Sequence, residues 1–173
     1  MHINDIPPLT YISGGFEIEL EGIQDWLSSY NERYGIDLDP YFQRPLVWTE
    51  ERKSKYMEFL LRGGRSLPVL WNSPVYGGHF SKNSDLTDDI ILVDGKQRLN
   101  CIIQFLENKL PVFDGNFRQD IDGIERHLRR CSIMFQINKL QTTKEVLTWY
   151  MEIDEGHVAH TEEELDRVRK LIV

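Results

Sequence analysis

At 173 residues, with 40% hydrophobic and 11% aromatic content, the chain is long enough to bury a sizeable core and falls within the usual span of one domain. Its formal net charge of −8 disfavours a broad DNA-coating surface, although a local basic groove on an acidic protein remains compatible with it. No apolar run approaches the length of about 18 residues that a membrane span needs, and no leader-type segment opens the chain, so a cytoplasmic, membrane-free protein is expected.

The charge is uneven. Glu152 to Val173 carries half of the negative excess, whereas Tyr41 to Leu70 holds Arg44, Arg52, Lys53, Lys55, Arg62 and Arg65. Cys101 and Cys131 stand far apart, which excludes a disulfide framework or zinc-type spacing and marks both as reduced core cysteines.

Met1 to Gly15, with Pro7-Pro8 and Gly14-Gly15, forms an N-terminal arm. Phe16, Ile18 and Leu20 alternate with acids as in a half-buried strand, and Ile23, Trp26, Leu27 and Tyr30 then share one face of a helix that Gly35 ends. In Asp39 to Thr49, Pro40 and Pro45 bracket Gln43-Arg44 and exclude helix there. Thr49 is an N-cap, Glu50 and Glu51 favour a helix start, and Gly63-Gly64 is a stop, giving a helix over about Glu50 to Arg62. Leu67 to Trp71 is a short strand opened by Pro68. Asn72 to Asp89 is a hairpin loop whose tip, Ser81 to Asp85, is expected to move.

Ile90 to Val93 is a continuous apolar strand, Asp94-Gly95 turns it, and Leu99, Ile102, Ile103 and Leu106 recur at helical spacing to about Asn108. Chemistry concentrates at this turn. Gly95 lets backbone approach a ligand, and the first amides of the new helix are unpaired and attract anions. Lys96 and Arg98 add positive charge, Arg98 in a fork that grips phosphate through two bonds. Asp94 stands where a carboxylate can hold a metal. Ordinary turn chemistry with solvated charges is the competing reading.

Beyond it, Leu110 to Val112 is expected as a brief strand, Asp114 to Arg130 as turns and a short helix, and Ser132 to Ile137 as a strand with Ile133, Phe135 and Ile137 on one face. Capping boxes at Thr142/Glu145 and Thr161/Glu164 open two C-terminal helices over 142–173. Their apolar stripes are Val146, Tyr150 and Ile153, then Leu165, Val168 and Ile172. Between them, Asp154 to His160 is a glycine turn rather than a metal site.

The order Tyr41-Phe42-Gln43-Arg44, Trp48, a helix, Pro68 opening a strand, then Asp94-Gly95-Lys96-Gln97-Arg98-Leu99 resembles the N-terminal domain of GmrSD-type modification-dependent restriction enzymes. The family turn typically reads Asp-Gly-Gln-Gln-Arg, so Lys96 replaces the first Gln. Its Gly-x-x-Arg is also similar to the phosphate-binding box of ParB-type nucleotide-binding proteins. A weaker likeness covers Glu152 to Gly156, where Asp154 stands in place of the family's usual Asn. The resemblance spans Phe16 to Val173 and implies an α+β, ParB/sulfiredoxin-like single domain over 1–173, with a small mixed sheet flanked by helices and followed by C-terminal helices.

The resemblance further implies binding of a nucleoside triphosphate of unspecified base, often with Mg²⁺-dependent hydrolysis, used to sense or regulate DNA restriction. Gly95, Lys96, Arg98 and Arg44 then bind the nucleotide, Asp94 places Mg²⁺, and Gln97 or Gln43 orients water. Larger members carry an HNH-type nuclease module for which this chain has no room, so a stand-alone regulatory domain of a phage or mobile defence locus is expected. Two alternatives stand beside it. One is a non-catalytic protein-interaction module acting on a restriction or phage-host complex; the other is ParB-like DNA binding or nicking through the basic segment.

Overall fold

The computed structural model describes residues 9–10, 12–78, 84–155 and 162–172, with the side chains of 154–155 and 162–165 outside that description. The loop tip at 81–83, the turn over 156–160 and the cap at Thr161 lie outside the described residues.

The strands are β1 (Gly14–Glu19), β2 (Ile36–Asp37), β3 (Val69–Asn72), β4 (Ile90–Asp94) and β5 (Ser132–Asn138). The helices are α1 (Ile23–Tyr34), α2 (Glu50–Leu61), α3 (Lys96–Leu106), α4 (Ile124–Leu128), α5 (Thr143–Glu155) and α6 (Glu162–Arg169). The fold is α+β, built on one mixed sheet in the order β1-β5-β3-β4-β2. The β1–β5 and β3–β4 pairs are antiparallel, whereas β3–β5 and β2–β4 are parallel.

Alternation along the strands explains the layering. Val69 and Trp71 of β3, Ile90 and Leu92 of β4, and Phe135 of β5 join a core with Ile23 of α1, Met57 of α2 and Ile102 of α3. The opposite side chains, Leu70 and Val93, pack with Phe42, Val146, Leu147 and Tyr150, and with Val168 of α6. All four residues of β3 are therefore buried, as expected for a central strand covered on both faces.

Most local expectations hold for stated physical reasons. Gly35 ends α1 with φ +84°, a conformation that costs glycine little. Thr49 Oγ1 accepts from Arg52 N at 3.3 Å, capping α2. Glu145 Oε2 accepts from Thr142 N at 2.9 Å while Thr142 Oγ1 accepts from Glu145 N at 3.2 Å, a reciprocal capping box.

One local expectation needs correction, and one strand, β2, goes beyond the expected elements. Leu110 to Val112 is no strand: only an isolated bridge joins Val112 to Asn116. Phe113 (φ +42°) and Asp114 (φ +63°) turn the chain straight back, and Leu110 and Val112 are buried as core anchors instead. The extra strand β2 is too short for period-2 alternation to show in the sequence; pairing of Ile36 and Asp37 with Ile90 and Ile91 defines it.

Candidate functional site

Between β3 and β4, Leu70 pairs with Asp94 but Trp71 with Leu92, so Val93 is an extra residue on β4. Such a bulge bends a strand and re-aims its end. Directly after it, Gly95 takes φ +102° and becomes the N-cap of α3 without any side-chain cap. A Cβ there would lie 3.1 Å from both Val69 methyls and 3.2 Å from Val69 Cα. The left-handed backbone and the close approach of Val69 therefore favour glycine, independently of any ligand.

Helix α3 makes its first backbone bond from Leu99 N to Gly95 O at 2.8 Å. The amides of Lys96, Gln97 and Arg98 precede it and are the orphan donors of the helix start, carrying the positive end of the dipole. Arg98 Nη2 lies 2.5 Å from Asp94 Oδ2. Its Nη1 is buried and has no hydrogen-bond partner among the described residues, an arrangement that is costly for a charged donor unless an acceptor arrives.

Residues 39–49 form a strap across this turn. Strand β2 pairs with β4 only as far as Ile91, so the Leu92 carbonyl, on the same edge as the Ile90 amide that reaches Gly35, lacks a strand partner. Gln43 Nε2 donates to it at 2.5 Å. Gln97 holds the strap from the other side: its Oε1 accepts from Val47 N at 3.1 Å and Trp48 N at 3.2 Å, and its Nε2 donates to Pro45 O at 2.9 Å. Lys96 Nζ donates to Arg44 O at 3.0 Å and pairs with Asp39.

The strap and the α3 start enclose a cavity of about 110 Å³. Arg44, Arg52, Lys96 and Arg98 line it against one carboxylate among the described residues, that of Asp94, together with Gln43, Trp48 and Tyr150. Arg52 lies over the Trp48 ring with its Cζ 4.7 Å from the centroid, and Trp48 meets Tyr56 edge-on at 5.2 Å. Burial pushes the Tyr56 phenol up to about 12, opposed by its hydrogen bond to Ser66 and by the charge of Arg98. Among the described residues no group of three His, Cys, Asp or Glu could by itself hold a metal.

The structure thus brings Gln43, Arg44, Asp94, Gly95, Lys96, Gln97 and Arg98 to one cavity, although they come from two distant stretches. It divides their duties. Gln97 is committed to the strap at both ends of its amide, and Lys96 is largely drawn to Asp39 and the Arg44 carbonyl. Arg52 and Tyr150 join the lining without having been singled out. Arg52 shows in sequence only as one of several basic residues, and Tyr150 only as part of an apolar stripe.

The family model described as GmrSD restriction endonuclease, N-terminal domain, matches residues 23–172. The chain belongs to the GmrSD N-terminal domain family. The matched region takes in α1 through α6, and with them the strap, the Asp94-Gly95 turn and the cavity. No curated protein and no solved structure matches this GmrSD N-terminal domain at a significant level. Membership makes it a restriction-related domain. No helix among the described residues is long and apolar enough to cross a membrane.

Proposed function

We propose that the cavity binds the phosphates of a nucleoside triphosphate and that the domain links this binding, with Mg²⁺-dependent hydrolysis, to the control of restriction. The observation that carries the reading is Arg98 Nη1, a buried cationic donor without a partner among the described residues, at the N-terminus of α3. Orphan helix amides and guanidinium groups are the two standard protein answers to a phosphate. A volume of about 110 Å³ suits phosphate groups, so sugar and base extend beyond it past Trp48 and Arg52. The resemblance of the Gly95-x-x-Arg98 turn to the phosphate-binding box of ParB-type proteins supports this use.

In this reading Arg98 and the α3 amides hold one phosphate, Arg44 closes over it, and Arg52, held flat by Trp48, meets the outer charge. Among the described residues Gln43 bonds through Nε2, whereas both ends of the Gln97 amide are occupied, so Gln43 is the better placed of the two to orient water. Asp94, with its side chain 39% exposed, is the residue that would hold Mg²⁺. One carboxylate plus phosphate oxygens and water suits that ion, which keeps much of its hydration. Bound Mg²⁺ would supply charge neutralisation on the phosphate oxygens. Calorimetry with the four NTPs, with and without Mg²⁺, tests the reading; absence of binding by every NTP at millimolar concentration overturns it.

A second reading, a protein-interaction module for a restriction complex, draws support from Tyr41 and Val47, which are 63% and 56% exposed beside the cavity. Retention of a captured partner by Arg98→Ala as efficiently as by wild type would favour it. DNA binding draws less support, because Lys53 is buried against Glu50 and Lys55 is paired with Glu51, which interrupts the basic stripe. A gel shift at low salt tests it.

A further inference from the structure

The strap is anchored carbonyl by carbonyl. Lys96 Nζ takes the Arg44 carbonyl at 3.0 Å and Gln97 Nε2 that of Pro45 at 2.9 Å, both from the first turn of α3. The two preceding carbonyls are taken from α6: Arg167 Nη2 donates to Phe42 O at 3.0 Å and to Gln43 O at 3.2 Å. Val168, next to Arg167, is buried in the cluster that contains Phe42 and Tyr150, and Phe42 meets Tyr150 edge-on at 5.2 Å. Helix α6 is therefore docked where Arg167 can reach the strap.

Peptide units are planar, so fixing a carbonyl fixes the plane that carries the next amide. Arg167 fixes the Gln43–Arg44 plane and Lys96 fixes the Arg44–Pro45 plane. Together they set both backbone dihedrals of Arg44 and hence the direction of its Cα–Cβ bond. We propose that Arg167 is a positioning residue of the anion site, which from α6 aims Arg44 into the cavity. The proposal rests on the phosphate reading of that cavity for its consequence in binding, but its structural part stands without a ligand.

The test uses the full chain and two readouts. Hydrogen exchange is followed at the strap amides that are bonded here, namely Gln43 to Pro40 O, and Val47 and Trp48 to Gln97 Oε1. Calorimetry measures ATP and inorganic pyrophosphate. Arg167→Ala is expected to speed exchange at these amides while leaving β3 and α3 protected, and to weaken both anions by on the order of fivefold, the scale of one lost hydrogen bond. In an Arg44→Ala background the same change should weaken neither anion further. Equal weakening in that background would assign the effect to the charge of Arg167 acting at a distance, and would overturn the proposal. Unchanged exchange would also overturn it. If wild type takes up neither anion, the phosphate reading fails, and the exchange arm alone decides the positioning claim. Arg167→Gln, which keeps a donor without the charge, serves if the Ala variant does not fold, with a smaller change expected in the same direction.

Discussion

Asp94 and Arg98 stand one helical turn apart across Gly95, with Oδ2 and Nη2 at 2.5 Å, so that Asp94 satisfies one arm of the guanidinium and leaves Nη1 buried without a partner among the described residues. The two residues should behave differently under mutation. Arg98→Ala removes a charge-assisted contact and should weaken NTP binding by on the order of tenfold or more. Asp94→Asn should leave metal-free binding intact, or strengthen it by removing a negative charge, while abolishing hydrolysis. If both variants lower the melting temperature equally and leave affinity unchanged, the pair is an internal structural bridge only.

Gly95→Ala should destabilise the fold by about 1–3 kcal/mol, the cost of forcing a side chain into the left-handed region. The contact with Val69 Cα at 3.2 Å adds to it, because backbone gives way less readily than a flexible side chain. Urea denaturation measures the shift, and an unchanged midpoint would show that the turn relaxes around the methyl group.

Gln97→Leu keeps the volume but strands the Val47 and Trp48 amides and the Pro45 carbonyl. Water can replace part of these bonds at the exposed strap, so a loss of about 1–3 kcal/mol is expected. Gln97→Glu should recover the two amide contacts but not the donation to Pro45, and should weaken anion binding besides. The comparison of the two variants separates strap anchoring from charge.

Cys101 and Tyr56 make the fold sensitive to alkali. Burial pushes the Cys101 thiol from an ordinary 9.0 to about 12 and the Tyr56 phenol from 10.0 to about 12. Both are acids with raised folded-state values, so between these limits the native state keeps protons that the unfolded state has lost. Their contribution is complete below about pH 9 and is lost as pH climbs toward 12. Urea midpoints at successive alkaline pH values should fall, and Cys101→Ala should flatten the decline. Under native conditions the partly exposed Cys131 should alkylate before the buried Cys101.

What the sequence by itself determined is what local chemistry decides. Thr49 and Thr142 cap because a hydroxyl can reach an amide three residues on; Gly35 ends α1 because only a few residues tolerate its φ; the apolar run Ile90 to Val93 becomes a strand buried on both faces. The Asp94-Gly95-Arg98 turn is legible for the same reason, since its strand, glycine and helix start are contiguous. Tertiary structure alone decided what depends on partners distant in the chain. Arg52 and Tyr150 join the cavity lining only when α2 and α5 pack beside the turn. Gln97 and Lys96 became strap anchors only because β2 ends at Asp37 and the following chain runs back over the edge of β4. Arg167, in an acidic tail with no local signal, meets Phe42 and Gln43 across 125 and 124 positions of sequence, a contact that no periodicity encodes.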